Sequence, residues 1–156
     1  MRLAIVGAGA VGSAVAELAG EYGHTVTALA DSSGAVVDPE GIDTDAALQR
    51  KETEGTVGTA PVADALEGTY DALVEATPTT LGDTEPGFGH VKAALERDRH
   101  VLLGKKGPVI QGFGELRALE RESAGEVYLE ATVGGAMPVL STIAAFGPGH
   151  IEAARG

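Results

Sequence analysis

The amino-terminal stretch Met1–Gly20, MRLAIVGAGAVGSAVAELAG, constrains the fold of this chain more than any other. Its apolar run Leu3–Val6 has no alternation, which predicts a strand buried on both faces, as in a parallel sheet covered by helices. The pattern G-x-G-x-x-G follows at once. Apolar residues then recur at helical spacing, at Val11, Val15, Leu18, Ala19 and Tyr22. A glycine turn between a strand and a helix is the context in which this pattern indicates a dinucleotide site.

Each glycine of the pattern has a separate physical role. Gly7 permits the tight turn out of the strand, Gly9 lets a pyrophosphate approach the backbone, and Gly12 lets the helix lie close on the strand. The start of the helix, with Ala10 and Val11, offers free amides and a positive dipole end to phosphates. The alternative is a glycine-rich turn that binds nothing, and the strand and helix on either side favour the dinucleotide site.

Composition bounds the class of protein. A chain of 156 residues forms one domain with a substantial core, and the absence of cysteine excludes disulfides and thiolate metal sites. No apolar run is long enough for a membrane span and no leader precedes the first strand, so we expect a cytoplasmic protein. The net charge of −12 disfavours nucleic acid and anionic membranes as partners. An ordinary acidic protein would have this charge, but so few lysines favour a halophilic source, where salt screens the repulsion.

A second strand is predicted over His24–Ala30, and Asp31 follows it. Asp31 lies 19 positions after Gly12, close to the spacing of the acid that binds the adenosine ribose hydroxyls in dinucleotide-binding domains. We predict that Asp31 and Ser32 contact the cofactor; the alternative is a turn-capping aspartate. A ribose-binding carboxylate disfavours a 2′-phosphate and so favours NAD over NADP, a preference that Arg50 and Lys51 would weaken if they fold back to this end.

Short apolar strands alternate with amphipathic helices along the rest of the chain. We predict strands over Asp71–Ala76, His100–Gly104 and Glu126–Glu130, and helices over Asp43–Thr53, Phe88–Arg97, Gly112–Ser123 and from Met137 to about Ala145, with Thr56–Glu67 ambiguous. In the helix over Gly112–Ser123, Phe113, Leu116 and Leu119 are expected to face inward. This alternation predicts an α/β fold, a doubly wound, mostly parallel Rossmann-type sheet with helices on both faces.

Polar residues that follow strands are the candidates for chemistry. Thr77, Pro78 and Thr79 come after one predicted strand, where open parallel sheets bind ligands. Lys105 and Lys106 come after the next, where a lysine can bind a substrate oxygen or transfer a proton; the alternative is a pair of solvated loop lysines. Glu130 could bind a hard cation with nearby turn carbonyls, or be an ordinary strand-end acid.

Four segments together resemble the cofactor-binding half of homoserine dehydrogenase. They are VGAGAVGSAVAEL, ALADSSGAV, VEATPTTLGDTEPGFGHVKAAL and HVLLGKKGPV…YLEATVGGAMPVLSTI, and the last two are the more specific. The resemblance implies that Lys106, in K-G-P, lies at the active site and acts in substrate binding and proton transfer. Gly104-Lys105 stands where the family has alanine-asparagine. The resemblance further implies that Thr77, Pro78 and Thr79 line the cofactor. It also implies a monovalent metal ion, such as Na⁺, at Glu130, Val133, Gly135 and Met137.

The resemblance carries expectations for the whole enzyme as well. Residues 1–156 would be a dinucleotide-binding domain that ends about where the family continues into a substrate domain, which usually forms a homodimer. Alone, it would bind NAD or NADP with little or no turnover. The complete enzyme interconverts L-homoserine and L-aspartate 4-semialdehyde by hydride transfer. Two alternatives are another Rossmann oxidoreductase acting on sugars or amino acids, and a stand-alone nucleotide-sensing module.

Overall fold

The computed structural model describes residues 1–78, 84–104 and 107–129, and of residues 107–111 it describes the backbone. In these ranges the strands are β1 (Arg2–Val6), β2 (Thr25–Ala30), β3 (Ala35–Val37), β4 (Ala72–Glu75), β5 (His100–Leu103) and β6 (Val127–Tyr128). The helices are α1 (Ala10–Ala19), α2 (Thr44–Glu54), α3 (Val62–Glu67), α4 (Gly87–Leu95) and α5 (Gly107–Glu122).

The strands form one sheet in the order β3-β2-β1-β4-β5-β6. Strands β2, β1, β4, β5 and β6 run parallel, and β3 alone pairs antiparallel with its neighbour β2. The chain moves outward from β1 to one side through β2 and β3, then crosses to the other side for β4. This reversal beside β1 creates the crevice at which doubly wound sheets bind dinucleotides. The predicted fold class is confirmed.

The apolar strands are buried by helices on both faces of the sheet. Ala4, Val6 and Leu73 belong to a core on the face that also buries side chains of α3, α4 and α5. Leu3 and Ile5, which alternate with them along β1, belong to a second core on the face of α1 and α2. Because both faces are covered, β1 and β4 are apolar except for Arg2, which is exposed at the start of β1, and Glu75, which is buried at the end of β4.

The buried face of α1 agrees with the prediction only in part. Ala19 is buried and Val15 packs against the core, as expected, but Val11 and Leu18 are 59% and 46% exposed, and Tyr22, beyond the end of the helix, is 73% exposed. The other buried residues of the helix are Gly12 and Ala16. A Cβ atom on Gly12 would lie 1.8 Å from the carbonyl oxygen of Gly7 and 3.4 Å from Ile5. The helix therefore lies so close to the sheet that small residues must face inward, and the larger ones face outward.

The structure also defines the stretch Thr56–Glu67, which the sequence left ambiguous, and the helix α5. An isolated bridge joins Ala35 and Ala60 ahead of α3. In α5, Gly112 has non-helical backbone angles and packs against the ring of Phe88. Leu116 is fully buried as predicted, but Phe113 is 47% exposed and its ring lies under the guanidinium of Arg117. The predicted inward position of Phe113 is wrong. Within the described ranges, no helix is long and apolar enough to cross a membrane.

Candidate functional site

The glycine turn lies at the carboxyl end of β1, between the ends of β2 and β4. The amide of Gly7 donates to Ala30 O (2.9 Å), and the amide of Ala76 donates to Val6 O (2.8 Å). Gly7 has φ +103°, and a Cβ there would lie 2.5 Å from the carbonyl carbon of Ala76. Glycine is needed at this position both for the positive φ and for the close approach to the neighbouring loop. The predicted reasons for Gly7 and Gly12 are both confirmed.

The start of α1 faces open space. The first hydrogen bond of the helical ladder runs from Ser13 N to Gly9 O (2.8 Å), so the amides of Ala10, Val11 and Gly12 precede that ladder. Gly9, Ala10 and Val11 are exposed, and a Cβ on Gly9 would meet nothing within 4 Å. Gly9 thus leaves the approach to these amides uncovered, the arrangement expected of an anion-binding helix terminus.

Asp31, directly after β2, is buried within a set of donors from this chain. Its side chain is 4% exposed. Oδ1 accepts hydrogen bonds from the amides of Ser33 (2.8 Å) and Gly34 (3.1 Å), and Oδ2 accepts from the amide of Val57 (2.9 Å). The turn-capping role given above as the alternative for Asp31 is therefore present in the structure. Ser32, at the tip of the same turn, is exposed.

The ionisation of Asp31 is set by two opposed effects. Burial raises the pKa of its carboxyl, but hydrogen bonds from the Ser33 amide, the Lys51 ammonium and the Val57 amide together outweigh burial and lower the pKa below its usual value. The carboxylate is thus charged over the physiological range, and its charge is shared with a cation.

That cation comes from α2. Lys51 Nζ lies 3.1 Å from Asp31 Oδ2, and the Lys51 side chain is 33% exposed. Arg50, its neighbour in sequence, instead pairs with Glu54 one helical turn further on (2.9 Å). Of the two basic residues that were predicted to matter if they folded back, Lys51 reaches the end of β2.

The loop after β4 forms the other wall of the crevice. Thr77 is half-buried and Pro78 is exposed. The Thr77 amide donates to Glu75 Oε1 (3.0 Å), and the Thr77 hydroxyl donates to the same oxygen. Glu75 Oε2 lies 2.7 Å from His90 Nδ1, and the Gly104 amide donates to Glu75 O (2.9 Å). Glu75 therefore links the ends of β4 and β5, the loop segment Ala76–Pro78 (the Thr77 loop) and α4.

Glu75 and His90 were not among the predicted site residues. A carboxylate inside the apolar run Asp71–Ala76 was the available signal, since a buried charge requires partners. Its partner was not predictable from spacing, because His90 reaches it only after the chain has turned from β4 into α4. The structure brings Gly7, Gly9, Ala10, Val11, Gly12, Asp31, Ser32, Thr77 and Pro78 to one edge of the sheet.

Several predicted site residues lie outside the described residues. They are Thr79, Lys105, Lys106, Glu130, Val133, Gly135 and Met137, so their roles stay predictions. Across residues 1–78, 84–104 and 107–129, no group of three or more His, Asp or Glu side chains is arranged to hold a metal ion.

Comparison with known proteins gives two matches, which cover different lengths of this chain. The family model for Glutamate/Leucine/Phenylalanine/Valine dehydrogenase matches residues 1–81. The homoserine dehydrogenase of Methanocaldococcus jannaschii is 32% identical, over 90% of this chain and 47% of the relative. The chain thus spans about half the length of this relative.

Solved structures similar to this chain include homoserine dehydrogenases as well. A protein described as a homoserine dehydrogenase from Archaeoglobus fulgidus superposes with a TM-score of 0.81 at 32% identity, over 94% of this chain and 47% of that one. A hyperthermophilic archaeal homoserine dehydrogenase in complex with NADPH has the same fold, with a TM-score of 0.75 at 22% identity, over 91% of this chain and 47% of that one.

The two results differ in the part of the chain they cover. Residues 1–81 contain β1 to β4, with the glycine turn and Asp31, whereas the homoserine dehydrogenase matches take in about nine-tenths of the chain. The chain therefore belongs to the Glutamate/Leucine/Phenylalanine/Valine dehydrogenase family, whose model matches its first 81 residues, and over about nine-tenths of its length it is similar to homoserine dehydrogenases.

Proposed function

We propose that this chain is the cofactor-binding part of a homoserine dehydrogenase and that it binds NAD or NADP in the crevice beside β1. The observation that carries the proposal is the uncovered start of α1 at the glycine turn, located where the strand order reverses. We further propose that the complete enzyme, a homodimer in the cytoplasm, interconverts L-homoserine and L-aspartate 4-semialdehyde.

The crevice fits a dinucleotide in its donor set and its shape. The amides of Ala10, Val11 and Gly12 would bind the paired phosphates, and Gly9 leaves room for them. The end of β2, with Asp31 and its turn, would hold the adenosine half, so the nicotinamide half would lie towards β4 and β5. When bound, the nicotinamide supplies the hydride, while the protein supplies orientation and electrostatics.

The proposal extends to residues outside the described part of the chain. The resemblance supports Lys106 as the group that binds the substrate oxygen and moves a proton, with Lys105 and Thr79 near the cofactor. It also supports Glu130, Val133, Gly135 and Met137 as the residues that would hold a monovalent cation. In this proposal, the isolated chain binds cofactor with little or no turnover, because a substrate domain completes the site.

Replacing Gly9 tests the proposed crevice directly. A Cβ at Gly9 meets nothing, and its φ of −86° suits any L-residue, so Gly9→Val should fold normally. The valine side chain would occupy the space proposed for the phosphates. We expect titration calorimetry in molar KCl to show at least about a tenfold loss of NADH and NADPH affinity, or about 1.4 kcal/mol.

Gly20→Ala is the matched control, because Gly20 has helical angles and equally open surroundings at the far end of α1. Equal binding by the wild type, Gly9→Val and Gly20→Ala would contradict the proposed phosphate site. So would a wild-type chain that takes up neither dinucleotide.

The match over residues 1–81 favours a second candidate, the binding domain of an amino-acid dehydrogenase that acts on glutamate or a branched or aromatic amino acid. Reduction of NAD or NADP by the full-length enzyme separates the candidates. Turnover with L-homoserine supports the first, and turnover with L-glutamate or L-leucine supports the second. A stand-alone sensing module would bind tightly and turn over none of them.

A further inference from the structure

A fully buried carboxylate ends the central strand β4. Glu75 has 0% exposure, and both of its oxygens have partners: Thr77 donates twice to Oε1, and His90 Nδ1 lies 2.7 Å from Oε2. Burying a carboxylate is unfavourable, and partners offset this cost only when their geometry is good. An apolar residue would fill this core position at lower cost, so stability alone does not account for Glu75.

The partners of Glu75 come from both ends of the connection between β4 and α4. Thr77 lies at the start of this connection. His90 lies in the first turn of α4, which follows the connection, and its side chain is only 13% exposed. The carboxylate therefore joins the end of β4 to His90, 15 positions after Glu75 in the chain. This contact holds the beginning of the loop against α4.

The backbone of the Thr77 loop also packs directly against the glycine turn. A Cβ on Gly7 would lie 2.5 Å from the carbonyl carbon and oxygen of Ala76 and 2.6 Å from the amide nitrogen of Thr77. With atoms this close, a shift in the Thr77 backbone would move the turn or open a gap beneath it. Glu75 also accepts the Gly104 amide through its backbone oxygen, at the end of β5.

We propose that Glu75 and His90 are positioning residues that hold the Thr77 loop as the wall of the nicotinamide half of the crevice. This rests on the proposed function, in which the adenosine half lies at β2 and the other half at β4 and β5. The pair does not touch the adenosine side, where Asp31 and its donors form a separate cluster. Breaking the contact between Glu75 and His90 therefore weakens binding of the nicotinamide half of the cofactor and leaves binding of the adenosine half unchanged.

The test compares each dinucleotide with its own adenosine half, NADH with ADP and NADPH with 2′,5′-ADP, by titration calorimetry. In His90→Leu we expect the ratio of dinucleotide affinity to adenosine-half affinity to fall by about fivefold or more, with adenosine-half affinity within about twofold of wild type. His90→Asn restores a nitrogen at the position of Nδ1, so its ratio stays within about twofold of wild type. His24→Leu is the matched control, because His24 precedes β2 at the opposite edge of the sheet.

A second measurement needs no ligand. Hydrogen exchange of the Thr77 amide, which donates to Glu75, should accelerate by about tenfold or more in His90→Leu, with no comparable change in His24→Leu. If His90→Leu does not fold, His90→Gln replaces it, since its amide nitrogen corresponds to Nε2 and not to Nδ1.

The outcomes separate this inference from the proposed function. A wild-type chain that binds neither dinucleotide nor adenosine half overturns both. A wild-type chain that binds dinucleotides tightly, with a variant that keeps the affinity ratio or loses both affinities equally, overturns the positioning role alone. A wild-type chain that binds a dinucleotide no better than its adenosine half also overturns it.

Discussion

The ammonium group of Lys51, on α2, lies 3.1 Å from Oδ2 of Asp31, at the end of β2. The acid predicted to select against a 2′-phosphate thus shares its charge with a cation from the neighbouring helix. Because Lys51 is 33% exposed while Asp31 is 4% exposed, the cation is the more accessible of the two. We therefore expect this pair to weaken the preference for NAD that Asp31 alone would give.

Removing that cation should shift the choice of cofactor. In Lys51→Met we expect NADPH affinity to fall by about tenfold relative to NADH affinity, because an unpaired Asp31 would repel a third phosphate. Calorimetry with both reduced cofactors at constant KCl measures the change. Arg50→Met is the matched control, since Arg50 pairs with Glu54 and not with Asp31. An unchanged NADPH to NADH ratio in Lys51→Met would exclude Lys51 from adenosine recognition.

The depressed pKa of Asp31 makes a second prediction, on stability against pH. A lowered folded-state pKa means that this carboxylate stabilises the fold above its usual pKa of about 3.9, and that the contribution is lost as pH falls through the folded value. Between about pH 5 and pH 2 the wild-type free energy of unfolding should therefore fall more steeply than that of Asp31→Asn. The difference in slope is at most about 1.4 kcal/mol per pH unit.

Asp71→Asn is the comparison for this experiment. Hydrogen bonds from the Arg2 amide and guanidinium also lower the pKa of Asp71, but its side chain is 35% exposed, so solvent screens the interaction. Urea unfolding at a series of pH values should show the smaller change for Asp71→Asn. If Asp31→Asn followed the wild-type curve throughout, the buried carboxylate would not be the source of the acid sensitivity.

The sequence allowed prediction of the sheet and the phosphate turn, because an unbroken apolar strand followed by spaced glycines has few other solutions. It allowed only partial prediction of the buried face of α1, correct at Val15 and Ala19 and wrong at the larger Val11 and Leu18. Apolar spacing favoured the large residues, such as Leu18, whereas the 1.8 Å approach at Gly12 admits only small ones. Three-residue β3 has too few positions for alternation to be recognised. The Glu75–His90 contact depends on how the loop folds, which local patterns do not encode.

Close packing at Gly12 gives a third prediction. The Cβ of Gly12→Ala would lie 1.8 Å from Gly7 O, against backbone that is itself pressed on Ala76, so helix and turn must separate. We expect a loss of about 2–3 kcal/mol in the free energy of unfolding and weaker dinucleotide binding. Gly114→Ala, on α5 with nothing near its Cβ, should instead be neutral or stabilising by up to about 1 kcal/mol. Urea titration compares them; equal stabilities would mean that the helix can shift at no cost.

The acidic composition makes the last prediction, which concerns salt. A net charge of −12 on 156 residues means that repulsion opposes the folded state at low ionic strength. Screening becomes effective over about 3 Å at 1 M salt, compared with about 30 Å at 0.01 M. Thermal unfolding in rising KCl should therefore show a transition temperature that increases by several degrees or more, and by less in a variant with the exposed acids Glu17 and Glu52 changed to glutamine. Glycine betaine, which is neutral overall, separates screening from preferential exclusion. If betaine stabilised the chain as well as KCl does, charge repulsion would not explain the effect, and the expected halophilic character would lose its physical basis.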